Sequence, residues 1–140
     1  MRSALLLATA VALLCGGCGS NAPSPESVVR AWSQALNSDD NERAADLFAP
    51  GAEIVQNGIV RRLRTHADAV AWNSSLPCSG EIVGIETAGQ SATATFELGD
   101  RRETRCDAPG QEATAIFRVV KGKIVLWHQT DDDGPPATEA

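Results

Sequence analysis

The sequence predicts an α+β domain in which three helices come first and antiparallel strands follow. In the first half, apolar residues recur at helical spacing in three segments, whereas from Cys78 onward they alternate with a period of two. Helices followed by a run of hairpin-linked strands are typical of this fold class. The chain has 140 residues, 43% of them hydrophobic, which suffices for the packed core of one domain.

The first helix is expected to begin after Ser24, because a serine cap and Pro25 at the first helical position are common start signals. Glu26 suits the positive end of the helix dipole, and the helix should end near Asn37. Its buried stripe is expected to consist of Val28, Val29, Trp32, Ala35 and Leu36.

A second, short helix should follow directly. Either Ser38 or Asp39 is expected to cap it, and the Pro50-Gly51 pair is expected to end it. Its apolar stripe would be Ala44, Ala45, Leu47 and Phe48.

A hairpin separates this helix from the third one. Asn57-Gly58 is a strong two-residue turn signal between the strand segments 53–56 and 59–62. Thr65 should then cap the third helix, with Asp68 completing a capping box and Pro77 following its end.

The second half is predicted to be a set of strands and turns. Two-residue periodicity and turn residues place four strands at 81–87, 91–98, 114–120 and 123–129. The turns between paired strands fall at 88–90 and 121–122, and residues 99–110 form a charged, irregular connection.

Charge and cofactor motifs exclude several functional classes. The formal net charge is -6 and the 12 basic residues are scattered, which argues against a nucleic-acid surface. We expect no cofactor and no metal, because the sequence contains no phosphate loop or dinucleotide fingerprint, and the adjacent aspartates 131–133 lack the spacing of a calcium loop.

The N-terminus is predicted to direct export. The apolar run 4–14 is too short for a membrane span, which needs about 20 residues, but fits a secretory signal. Gly16 and Gly17 before Cys18 resemble the lipobox of bacterial lipoproteins, although Cys15 stands where that pattern prefers Leu, Val or Ile. The resemblance implies acylation of Cys18 and attachment to a lipid bilayer outside the cytoplasm, in the cell envelope. An ordinary cleaved signal peptide is the alternative.

These signals divide the chain into four parts. We expect a signal peptide at 1–17, a short tether at 18–25, a folded domain at 26–131 and a disordered tail at 132–140. In an oxidising compartment, Cys78 and Cys106 are expected to form a disulfide. Two alternatives are a zinc site that also uses His66 and His128, and a nucleophilic cysteine.

Three segments of the folded part resemble the nuclear-transport-factor-2-like superfamily, which includes polyketide-cyclase-like domains, ketosteroid isomerases and limonene epoxide hydrolases. They are Val-Val-Arg-Ala-Trp at 28–32, Ala-Ala-Asp-Leu-Phe-Ala-Pro at 44–50 and Phe-Arg-Val-Val-Lys-Gly-Lys-Ile-Val at 117–125. The resemblance implies a cone-shaped roll, in which three helices pack in a curved, mostly antiparallel sheet of about six strands. It also implies a cavity at the open end and, in many members, a homodimer through the sheet.

The pairing of the last hairpin gives candidate ligand-binding residues. An unbroken ladder around 121–122 sets Arg118 opposite Val125, Ile116 opposite Trp127 and Thr114 opposite Gln129. We expect the cavity to be lined by Arg118, Trp127 and Gln129 from this hairpin and by Trp32 and Trp72 from the helices. The alternatives are that the tryptophans are plain core residues, that Arg118 faces solvent, and that His128 is a hydrogen-bonded core histidine.

These residues favour a non-catalytic, lipid-anchored domain that binds a small apolar ligand or an envelope protein through its cavity. The alternative is a cavity enzyme of the cyclase, isomerase or epoxide hydrolase type, with Arg118, His128 or Asp107 as polar catalyst. The chain has no tyrosine for the oxyanion hole that the resemblance to ketosteroid isomerases would require. A third possibility is a structural domain whose cavity is filled by its own side chains.

Overall fold

The computed structural model describes residues 21–130, which form three helices and six strands. The helices are α1 (Pro25–Asn37), α2 (Asn41–Asp46) and α3 (His66–Ser75). The strands are β1 (Phe48–Gln56), β2 (Ile59–Leu63), β3 (Cys78–Ala88), β4 (Ser91–Asp100), β5 (Glu112–Val120) and β6 (Lys123–Gln129). The predictions for 1–17 and 132–140, and for Cys15 and Cys18, lie outside the described residues.

The six strands form one sheet in the order β2-β1-β6-β5-β4-β3, and the three helices pack on one side of it. Every neighbouring pair is antiparallel except β1 and β6, which run parallel. The predicted α+β roll with a mostly antiparallel sheet is therefore confirmed. None of the helices between residues 21 and 130 has the length and apolar character needed to cross a bilayer.

Local sequence signals set the helix starts. Ser24 caps α1 by accepting a hydrogen bond from the Ser27 amide at 3.1 Å. Thr65 and Asp68 form the predicted capping box at α3, each side chain accepting from the other residue's backbone N–H.

The second helix differs from the prediction at both ends. Asp40, not Ser38 or Asp39, is its N-cap, and its side chain accepts from the Arg43 amide. The helix ends at Asp46, because Phe48 already belongs to β1 and pairs with Ile124 of β6. Pairing within the sheet overrides the helical periodicity here.

Both predicted two-residue turns are present. Asn57 and Gly58 have φ values of 53° and 70°, and Lys121 and Gly122 have 51° and 74°. Two consecutive positive φ angles define the turn that matches the twist of a hairpin.

One hydrophobic core lies between the helices and the inner face of the sheet. Six large aromatic rings pack in it at centroid distances of 5.1 to 6.5 Å. They belong to Trp32, Phe48, Trp72, Phe96, Phe117 and Trp127.

Candidate functional site

An open cleft of about 440 Å³ lies at the end of the roll where α1 and β6 finish. Its sides come from α1, the segment 76–80, the inner ends of β4 to β6 and the loop 101–111. Clefts of this size that combine apolar walls with a few polar groups are typical of small-molecule sites. The cavity predicted at the open end of the fold is thus represented by this cleft.

The floor of the cleft is aromatic. Trp32, Phe96 and Trp127 line it, with the two indoles 6.5 Å apart and Phe96 5.9 Å from Trp32. Trp72 does not line the cleft: it lies in the core, 6.4 Å from Trp32 and 5.5 Å from Phe48. Its predicted place in the lining is wrong because neighbouring rings cover it. Phe96 also lines the cleft, which was not predicted, although it alternates in phase with the buried Ala92 and Ala94.

The two indole N–H groups at the floor differ in their partners. Trp32 Nε1 donates to Asn73 Oδ1 at 2.8 Å, and the buried Asn73 amide in turn donates to the Ala69 carbonyl. Trp127 Nε1 is buried and finds no acceptor among residues 21–130. An unpaired buried donor is costly, so this N–H is an unsatisfied polar group beside the cleft.

Two glutamine side chains lie at the mouth of the cleft, where it opens to solvent. Gln56 Nε2 donates to Gln129 Oε1 at 3.3 Å, which joins the ends of the parallel strands β1 and β6. Both side chains line the cleft and are half-buried. The predicted position of Gln129 at the cavity agrees with this geometry.

The register of the last hairpin differs from the predicted one. A β-bulge between Arg118 and Val119 pairs Arg118 with Leu126 and Phe117 with Trp127. Because a shift of one residue exchanges the two faces of a strand, Trp127 and Gln129 share the inner face with Ala115 and Phe117. Arg118 is exposed on the outer face, so its predicted place in the cavity is wrong.

The three alternative catalytic groups are not brought together. His128 lies on the outer face between Val55 of β1 and Ile116 of β5, and it does not line the cleft. Asp107 does line the cleft, but it is exposed at the rim. The cleft therefore does not bring Asp107 together with Arg118 or His128.

Cys78 and Cys106 form the predicted disulfide, which joins the start of β3 to the loop 101–111. Asp107 Oδ1 lies 3.3 Å from Cys78 Sγ, so these three residues form a compact group. With both sulfurs in the disulfide, the zinc and nucleophilic-cysteine alternatives do not apply. His66 is instead exposed at the start of α3, 2.7 Å from Glu42.

A buried arginine holds the loop that forms one wall of the cleft. Arg101 Nε donates to Asp39 Oδ1 at 2.6 Å, and its Nη1 donates to the carbonyl oxygens of Asn73 and Leu76. Its Nη2 donates to Asn41 Oδ1 at 2.7 Å. No local sequence signal identifies this residue, because its partners lie on the α1–α2 turn and at the end of α3.

A second depression, of about 770 Å³, runs between α1 and β3. Polar and charged side chains such as Arg30, Gln34 and Glu81 dominate its lining, and it contains no aromatic ring. It is a broad surface groove, so the smaller aromatic cleft is the better candidate site.

Comparison with solved structures finds the same fold in bacterial proteins of low sequence identity. A protein from Sinorhizobium meliloti named as a polyketide cyclase is 16% identical, with a TM-score of 0.62 over 74% of this chain and 93% of that one. A nuclear-transport-factor-2-like protein of unknown function from Cytophaga hutchinsonii is 12% identical, with a TM-score of 0.65 over 79% and 91%.

A third structure is a hypothetical protein with a ketosteroid isomerase-like fold from Catenulispora acidiphila, in complex with trimethylamine. It is 17% identical, with a TM-score of 0.58 over 77% of this chain and 86% of that one. No curated protein matches this chain. The model of the SnoaL-like domain matches residues 29–127, from the first buried stripe of α1 to Trp127 at the cleft floor. The chain therefore belongs to the family of SnoaL-like domains.

Proposed function

We propose that this protein is an exported domain, anchored to the cell envelope by an acylated Cys18, whose cleft binds a small apolar ligand without catalysing its conversion. The open cleft with its floor of Trp32, Phe96 and Trp127 is the observation that carries the binding proposal. The signal-like run 4–14 and the glycines before Cys18 support the export proposal.

The charges around the cleft restrict the ligand further. Within residues 21–130, Asp107 and Glu112 are the only charged residues that line it, and both are carboxylates. The nearby Arg102 and Arg105 do not line the cleft, so its two carboxylates favour a negative potential inside it, which disfavours anionic ligands. The ligand is thus neutral or cationic.

A binding test uses two hydrophobic dyes, the neutral N-phenyl-1-naphthylamine and the anionic anilinonaphthalene sulfonate. We expect the neutral dye to bind at least ten-fold more tightly. Replacing both Asp107 and Glu112 by their amides should narrow that difference. Equal affinities of the two dyes for the native protein would contradict the charge assignment.

A larger side chain that fills the cleft tests whether the cleft is the binding site. Ala113 lines the cleft, so Ala113→Phe should lower the affinity for the neutral dye at least ten-fold. Thr93→Phe is the matched control, because Thr93 is exposed on the outer face, opposite Ile116. If the two variants lose the same affinity, or neither loses any, the cleft is not the binding site.

The anchor is tested in growing bacteria with radiolabelled palmitate. The label should follow the native protein into the membrane fraction and should be lost in Cys18→Ser. Unlabelled, soluble native protein would overturn the lipid anchor and would leave the cleft proposal standing.

An enzyme that uses Asp107 is the second candidate, because this carboxylate reaches the cleft and a structural neighbour is named as a polyketide cyclase. Turnover of a bound small molecule that Asp107→Asn abolishes, with binding retained, would favour it over a pure binding role.

A homodimer through the outer sheet face, and docking of an envelope protein, are further parts of the proposal. Half-buried Val55, Ile116 and Leu126 lie on that face. Ile116→Glu should convert a dimer into a monomer in light scattering; a monomeric native protein would remove the dimer from the proposal.

A further inference from the structure

The start of the described chain is fixed against one end of the sheet. Pro23 packs on the β5–β6 turn so closely that a Cβ atom at Gly122 would lie 2.8 Å from Pro23 Cδ. Ser24 then caps α1, which leads away from this turn. The tether therefore enters the domain at the β5–β6 turn.

The cleft lies at the opposite end. Strand β6 leads from the turn to Gln129, which lines the cleft, so seven residue steps separate Gly122 from the mouth. At a rise of about 3.3 Å per residue this is about 23 Å. Strand β4 runs along the same axis, from Ser91 at the turn end to Asp100 beside the loop 101–111. The carbonyl of Gln90, just before the strand, accepts a hydrogen bond from the Val119 amide.

The tether is too short to invert this arrangement. Five residue steps separate Cys18 from Pro23, and a fully extended chain reaches at most about 3.6 Å per residue, or about 18 Å. To press its cleft onto the bilayer, the domain would have to hold Pro23 about 23 Å above the surface. A mouth-down domain would need the tether stretched to its full length or beyond, so an anchor at Cys18 disfavours that orientation.

The distribution of charge favours the same orientation as the length of the tether. Lys121 and Lys123, the only lysines in the chain, flank Gly122 at the turn end and are exposed. Lys123 also donates to the Asp46 carbonyl. Of the carboxylates at this end, Glu26 contacts Arg30, Asp46 Oδ1 lies 3.5 Å from His66 Nδ1, and Glu86 is exposed near the β3–β4 turn.

Among the described residues, the mouth end carries more acidic than basic groups, because Glu81, Glu97, Glu112 and Asp107 outnumber the exposed Arg102 and Arg105 of the loop 101–111. Glu112 pairs in the sheet with Glu97, and Glu97 pairs with Glu81, while Asp107 stands on the rim. An anionic bilayer attracts ammonium groups and repels carboxylates, so it favours the turn end over the mouth end.

We propose that the β5–β6 turn faces an anionic lipid surface and that the cleft opens toward the aqueous phase, where it takes its ligand. This rests on the proposed acylation of Cys18. Ligand reaches the cleft from solution or from a soluble carrier, and not by lateral transfer from the bilayer below.

The experiment uses the full, processed protein in vesicles of phosphatidylglycerol and phosphatidylethanolamine with an energy-transfer acceptor on the headgroups. A donor dye is placed on Gln90→Cys at the turn end, or on Glu103→Cys in the loop 101–111, with the native disulfide intact. Transfer efficiency from position 90 should be at least two-fold higher than from position 103. Equal or reversed efficiencies overturn the orientation.

A charge variant tests the role of the lysines. Lys121→Gln with Lys123→Gln should reduce the difference between the two positions on anionic vesicles and leave it unchanged on phosphatidylcholine. Arg102→Gln with Arg105→Gln, the same charge change in the loop 101–111, is the control and should not reduce it. An identical response of both double variants contradicts a specific role for the turn lysines.

The outcomes also distinguish the proposed orientation from the proposed lipid anchor and cleft binding. Protein that carries no acyl chain does not float with the vesicles, and this result overturns both the anchor and the orientation. Protein that floats but shows equal transfer overturns the orientation alone. Dye binding to the cleft is measured independently in either case.

Discussion

At the scale of single residues, Arg101 is the buried charge on which the cleft wall depends. Its guanidinium satisfies Asp39, Asn41 and two carbonyl groups at the end of α3, and its side chain is only 2% exposed. Arg101→Met should destabilise the protein by about 3–5 kcal/mol, because removing one partner leaves the others buried without a hydrogen bond. Urea unfolding followed by circular dichroism measures the loss.

Arg118→Met is the matched control for this prediction. Arg118 is exposed on the outer sheet face, so the same substitution there should change stability by less than about 0.5 kcal/mol. Equal losses in the two variants would show that the Arg101 network contributes nothing specific.

Gly80 is required by close packing. A Cβ atom at this position would lie 3.0 Å from Phe96 Cδ1, and the backbone of Gly80 exchanges hydrogen bonds with the Asn37 amide. Gly80→Ala should therefore cost about 1–3 kcal/mol in urea unfolding, the range for overpacking a core.

Gly84 in the same strand supplies the comparison. A Cβ there meets nothing within 4 Å, so Gly84→Ala should be neutral or slightly stabilising. A stable Gly80→Ala variant would mean that Phe96 can move aside. The aromatic side chains at the floor of the cleft could then rearrange.

At the scale of elements, three glutamates form a row across β3, β4 and β5. Glu97 pairs with Glu81 on one side and with Glu112 on the other, and all three are exposed. Like charges directly opposite each other on a sheet are unfavourable, so Glu97→Gln should stabilise the protein by about 0.2–1 kcal/mol. Thermal unfolding at low salt measures the gain.

The salt dependence identifies the cause of that gain. Screening at 0.5 M NaCl should reduce the gain in stability of Glu97→Gln, because the carboxylates are exposed. Glu86→Gln is the control, since Glu86 pairs with Thr93 and lacks a like charge opposite. A gain that persists in salt, or that Glu86→Gln reproduces, would point to a cause other than repulsion.

The elements also show why some features were predictable and others were not. The caps of α1 and α3 and the turns at 57–58 and 121–122 depend on neighbouring residues alone, so the sequence predicts them. The bulge beside Arg118 depends on how β5 and β6 fit the twisted sheet, and no local signal marks it. The extra residue is Val125 of β6, which moves Trp127 and Gln129 to the sheet face opposite Arg118.

Features that depend on residues far apart in the chain could not be predicted either, because no local signal marks them. Arg101 and Asp39 are separated by 62 positions, and β1 begins at Phe48 only because β6 is available to pair with it. The cleft follows from this long-range assembly. Sequence periodicity predicted that Trp32 and Trp127 would be near it, but not that Phe96 and Gln56 would join them.

At the scale of the whole molecule, one aromatic core joins helices and sheet, so the described domain should unfold as one unit. Trp32, Trp72 and Trp127 all lie in that core, and the chain has no tyrosine, so near-ultraviolet fluorescence reports on the core alone. Far-ultraviolet circular dichroism reports on the backbone of the whole domain. For a single cooperative unit the two urea midpoints should coincide.

Removal of the disulfide should move both midpoints together. The bridge joins residues separated by 28 positions, for which loop-closure entropy predicts about 3–4 kcal/mol, so Cys78→Ser with Cys106→Ser should unfold at clearly lower urea. The two signals should still coincide, because the bridge constrains the unfolded chain as a whole and the aromatic core remains shared by the helices and the sheet. Fluorescence that changes before circular dichroism would contradict this, since it would show an aromatic core, and with it the cleft floor, that loosens while the sheet is intact.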